Sequence, residues 1–105
     1  MRRLEFIVDG QLIRKSPNCD FSNIVSGTVG YLSAVFAFSD DWRDCRKAAS
    51  FWLNDTEHAV LLDESDSCVI PEEILTGDRF FVSVTGMKSG YKITTNKTKV
   101  KQEVK

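Results

Sequence analysis

Cys19, Cys45 and Cys68, with the lone histidine His58, are the residues of this chain most suited to metal binding or nucleophilic chemistry. Together they would make a Cys₃His set, one of the usual structural zinc combinations. No two of them have the close spacing of a zinc knuckle, so only the tertiary fold could assemble all four. A Cys–His hydrolase dyad built on His58 and Cys45 or Cys68 has no local signature either. The stretch "FAFSDDWRDC", Phe36 to Cys45, crowds Asp40, Asp41 and Asp44 together, but at spacings unlike a helix-loop-helix calcium loop. The expectation is a non-enzymatic protein with no cofactor and no metal, the four-residue set being the weak alternative. Three cysteines are an odd number without a CxxC pair, which fits free thiols in a reducing compartment.

Charge is segregated along the chain. From Asp40 to Asp78 there are eleven acids against Arg43, Arg46 and Lys47, whereas from Arg79 onward seven cations face Glu103 alone. Opposed segments of this kind either present separate faces to a charged partner or neutralise each other across paired strands. The acidic middle, Asp55, Glu57, Asp63, Glu64 and Asp66 in particular, could occupy a phosphate-binding surface on another protein. Direct nucleic-acid binding is not expected, because no aromatic and basic residues interleave as they do in known modules. The apolar stretch behind the N-terminal arginines, Leu4 to Val8, is broken by Glu5 and is too short for a signal or a membrane span. A soluble cytoplasmic protein is the expectation.

The elements that would position these residues are strands. Leu4, Phe6 and Val8 share one face, as do Leu32, Ala34, Phe36 and Phe38, then Phe80, Val82 and Val84, then Thr98, Val100, Gln102 and Val104. "DGQ" and "NDTE" are hairpin turns, Pro17 to Gly30 is a turn-rich loop or a ragged edge strand, and Pro71 to Gly77 has the marks of one short helical turn. Lysines along the last strand protect an edge. The pattern predicts one all-β domain over 1–105, an antiparallel β-sandwich of about seven to eight strands with one short helical turn. Within it, Phe38, Asp40, Asp41 and Trp42 form a structural corner: Trp42 caps the sandwich, and the two aspartates brace the turn through backbone hydrogen bonds.

"YLSAVFAFSDDWRD", "VLLDESDSCVIPEEIL", "FFVSVTG" and "ITTNKTKVK" occur in an order that resembles the N-terminal β-sandwich module of bacteriophage baseplate upper proteins and related tail-fibre proteins of Gram-positive hosts. The likeness runs over roughly residues 30 to 101 and departs at "RDCRKAASFW", from Cys45 onward. It implies a non-enzymatic attachment module, which in that family is followed by a linker and fibre domains. No such extension follows Lys105 here, so the expectation is a free-standing small phage or prophage protein acting in the host bacterial cytoplasm. The leading expectation is a stoichiometric inhibitor of a host defence nuclease, of the anti-CRISPR type, that blocks guide or target loading on an RNA-guided CRISPR nuclease. The alternative is a structural baseplate or tail attachment subunit of the virion, with a baseplate protein as partner.

Overall fold

The computed structural model describes all 105 residues. Nine strands follow one another: β1 (Arg2–Asp9), β2 (Leu12–Lys15), β3 (Leu32–Phe38), β4 (Arg46–Leu53), β5 (Thr56–Leu61), β6 (Ser67–Val69), β7 (Arg79–Lys88), β8 (Tyr91–Thr94) and β9 (Thr98–Lys101). They make two packed sheets, ordered β2-β1-β3-β6 and β5-β4-β7-β8, with β9 also pairing with β7. The all-β sandwich expected from the alternation is the observed fold. Nine strands are one more than the upper count expected, and the last two are separated at Asn96. These two, β8 and β9, pair with successive parts of β7, at Thr85–Lys88 and Arg79–Val82.

The alternating residues do what their period requires. Leu4, Phe6 and Val8 of β1 and Leu32, Ala34 and Phe36 of β3 are buried against Ala49 and Phe51 of β4 and Phe80, Val82 and Val84 of β7. Each large apolar side chain so buried contributes about 1.5–3 kcal/mol. Phe6 stacks on Phe36 at 5.3 Å, and Phe36 on Phe38 at 6.0 Å, so an aromatic ladder runs along the first sheet toward the corner.

Two details differ from the expected architecture. The sandwich is not purely antiparallel: β1 and β3 run parallel, from Arg2↔Leu32 to Val8↔Phe38. The β1–β2 hairpin uses one reversal, and the long loop after it returns the chain to the far side of β1 in its original direction. That loop is held by the Arg2 guanidinium, which donates to the carbonyls of Asp20, Ser22 and Asn23 at 2.6–3.1 Å. There are also two short 3₁₀ turns: the expected one at Glu72–Ile74, and a second, Asp40–Trp42, at the corner.

The sheets are joined along both flanks. On one, Asn96 accepts from the Ile13 amide through its side chain and donates its own amide to Gln11. On the other, Leu62 bonds to Lys47 and Asp63 to Ser67, carrying the chain from β5 across to β6.

Candidate functional site

The corner is architectural, by a different set of bonds from the expected one. Trp42 is fully buried, its ring 5.0 Å from that of Phe38, and its Nε1 donates to the Gly10 carbonyl at 2.9 Å. Neither aspartate caps the turn with its carboxylate. Ser39 does the bracing instead: its hydroxyl accepts from the Gly10 amide and donates to the Asp41 carboxylate. Asp40 pairs with Arg43 at 2.9 Å across exposed surface, where such a pair contributes little. The Asp41 backbone carbonyl accepts from the Tyr91 hydroxyl at 2.7 Å, which ties the corner to β8. Ser39 was the missed residue here, because a serine beside two carboxylates carries no distinguishing signal.

The five candidate partner-binding acids do not form one surface. Asp55 and Glu57 stand at the β4–β5 hairpin, whereas Asp63, Glu64 and Asp66 lie beyond the other end of β5. From Glu57 to Asp63 the chain climbs six residues, about 20 Å at roughly 3.3 Å per residue. Several of these acids also have internal work. Asp63 Oδ1 accepts from the Ser65 amide, the Ser65 hydroxyl and the Ser67 amide, and these bonds, the hydroxyl first, hold its carboxyl below the usual range. Asp66, at φ 56°, pairs with Lys47 at 3.3 Å. Glu57 accepts from the Ser50 hydroxyl. Asp55 and Glu64 are exposed and make no side-chain hydrogen bond within the chain.

Asp63, Glu64 and Asp66 form one wall of a groove of about 240 Å³, whose other side is Cys45, Arg46 and Lys47, with Leu61 and Leu62 as its apolar part. A second cavity of about 300 Å³ shares Arg46, Lys47 and Leu61 and extends to Ala48, Thr85 and Met87. The groove therefore opens from the corner onto the outer face of the five-stranded sheet. It begins at Cys45.

That outer face is set by register. Ala49, Phe51, Val82 and Val84 point into the core, so Ala48, Ser50 and Trp52 of β4 point outward, opposite Thr85, Ser83 and Phe81 of β7 and Leu61, Ala59 and Glu57 of β5. Trp52 and Phe81, both half-buried, sit side by side, while Leu61 and Met87 are 65% and 55% exposed. The Trp52 indole donates to the Ser83 hydroxyl at 3.0 Å, and Lys97 Nζ lies 3.7 Å above its ring. No layer of this chain covers the face.

The cysteines and histidine stay apart. Cys19 lies beside β1, accepting from the Glu5 amide; Cys45 is at the corner; Cys68 faces the core from β6; and His58 is on β5 opposite Phe51. No three His, Cys, Asp or Glu residues come together as metal ligands, so the Cys₃His set of Cys19, Cys45, His58 and Cys68 is not assembled. The sandwich places its members on different strands and faces. Burial, with a smaller effect from Asp63, pushes the Cys68 thiol up to about 12, so it is held neutral. No helix is long and apolar enough to cross a membrane. The chain matches no family model and no curated protein.

Proposed function

We propose that this chain is a non-enzymatic protein-binding module of phage type, which acts by stoichiometric association through the outer face of its five-stranded sheet and the groove beside it. The observation that carries this reading is the outer face of the sheet, where half-buried Trp52 and Phe81 lie side by side at the β4–β5 hairpin end, exposed Leu61 and Met87 lie toward the other end beyond the Ser50–Ser83 row, and Arg46, Lys97 and Glu57 stand among them. Aromatic anchors and exposed apolar side chains set among charged residues are features of protein interfaces. Between the two partner classes, a phage tail or baseplate protein fits better. That partner needs an apolar docking face, whereas a mimic of nucleic acid needs carboxylates gathered on one surface. Here the acids divide between two ends of β5, and Asp63 and Asp66 are engaged inside the fold.

The second reading, an inhibitor of an RNA-guided nuclease, is favoured by Asp55 and Glu64, which remain free as acceptors for a basic partner. One experiment separates the two. The purified protein is mixed with tail particles of the phage or prophage that encodes it, and in parallel with CRISPR nucleases of the host in a DNA-cleavage assay. The expected result is co-sedimentation with tails, lost in Trp52→Ala while its circular dichroism stays unchanged, and full cleavage at a large excess of protein. Blocked cleavage without tail association would transfer the assignment to the inhibitor. Association with neither would overturn the module reading itself.

A further inference from the structure

We infer that β5 is an open pairing edge, and that its partner is β5 of a second copy of this chain, joined antiparallel about a two-fold axis at Ala59. β5 is terminal in its sheet, bonded only to β4. The hairpin closes over Asn54 and Asp55 with Leu53 opposite Thr56, and the same ladder continues to the bond from the Leu62 amide to the Lys47 carbonyl. Even-numbered residues of β5 therefore spend their amides and carbonyls on β4. Those of Glu57, Ala59 and Leu61 point away from the sheet, and no backbone or side-chain group of the chain meets them.

This edge has little of the usual protection: its one charge, Glu57, is taken up by the Ser50 hydroxyl of its own sheet. β5 reads Thr-Glu-His-Ala-Val-Leu, with no lysine and no proline. The other edges are managed: β6 is three residues long, the β2 flank is tied to Asn96, β8 is four residues long and carries Lys92, and β9 carries Lys99 and Lys101.

The edge is complementary to itself. With Ala59 facing Ala59 of the second copy, Glu57 faces Leu61 and Leu61 faces Glu57, and every outward amide meets an outward carbonyl. His58 then lies opposite Val60. No like charges are opposed within the strand, and the small exposed Ala59 side chain lets the backbones close at the axis. Asp55 and Asp63 approach each other only beyond the ends of the paired residues, where solvent and salt screen them. The result is one continuous sheet across both copies, with the outer apolar faces on the same side.

Sedimentation over a concentration series tests the pairing directly. Wild type is expected to shift from one chain of 11.9 kDa to twice that mass as concentration rises. Amide exchange at Glu57, Ala59 and Leu61 should slow in step. Ala59→Lys sets two cations face to face at the axis and should remain at one chain at every concentration, with an unchanged circular dichroism spectrum. Ala59→Pro, which removes an outward amide that β4 does not use, should do the same. Val104→Lys, at another exposed position, should dimerise as wild type does. A single chain at all soluble concentrations, or equal dimerisation by wild type and Ala59→Lys, would overturn the inference. Neither result bears on tail association through the sheet face.

Discussion

Gly86→Ala tests whether the corner is closed by direct contact between β7 and the Trp42 ring. A Cβ at position 86 would stand 2.7 and 2.8 Å from two Trp42 ring carbons and 3.2 Å from Cys45 Cβ, and Gly86 is itself buried. Trp42 has no room to retreat: it is fully buried, lies against Phe38, and is pinned through its indole nitrogen to Gly10. Overpacking of this kind costs about 1–3 kcal/mol, and a strained indole bond adds up to ~1 kcal/mol. Against this, alanine lowers the entropy of the unfolded chain, worth about 0.4–1 kcal/mol. With each term at mid-range the net is a destabilisation of about 2 kcal/mol, or a fall in Tm of roughly 8–16 °C for a domain of this size. Thermal unfolding by circular dichroism reads the shift. Trp42 fluorescence in a Trp52→Phe background reports whether the ring has moved. Trp42→Leu should absorb part of the added methyl, so the two substitutions together should cost less than the sum of each alone. A Gly86→Ala protein as stable as wild type would refute the closed-corner argument.

Two further outcomes follow from titratable groups. Asp63→Asn should weaken the 63–67 turn at neutral pH, and the difference from wild type should vanish in acid. The Asp63 carboxyl lies below its ordinary value of 3.8, so its contribution is present above that value and is lost as pH falls through the folded-state value. Urea unfolding over a series from pH 7 into the acid range follows that loss. The Cys68 thiol, raised from 9.0 to about 12, has the opposite sign: its contribution is intact below pH 9 and drains away between 9 and 12. In native protein at pH 9 an alkylating reagent should therefore modify the half-exposed Cys19 well before Cys68, and mass spectrometry of peptides distinguishes them; equal rates would contradict the burial argument.

What the sequence made legible was whatever one strand states alone. The alternation in β1, β3 and β7 identified the core residues, because a period of two fixes which side chains share a face. Pro71 located a 3₁₀ turn for the same local reason. Relations between distant strands were hidden. The parallel pairing of β1 with β3 depends on the path of a loop whose composition says only that it turns, and the contact of Gly86 with Trp42 joins residues 44 positions apart. The acidic residues were the hardest to read. Asp63 and Glu64 are adjacent and equally charged, yet one organises a turn and the other is free. That difference lies in Ser65 and Ser67 and in how the chain folds back upon them. The outer face went unseen because Trp52 and Phe81 look like core residues until register assigns them a side.

The parallel β1–β3 pair also has a consequence for the time the chain takes to fold. Hairpins such as β4–β5 close over two residues, within microseconds. β3 cannot find β1 until everything between Val8 and Leu32 has been gathered, and the entropy of that closure is lost before the first ladder bond returns any of it. The β4–β5 and β7–β8 hairpins are therefore expected to form early, whereas the β1–β3 and β4–β7 pairings, which both join distant parts of the chain, follow later. During that interval β5 already presents its open edge, while the apolar inner faces of β4 and β7 still await their cover.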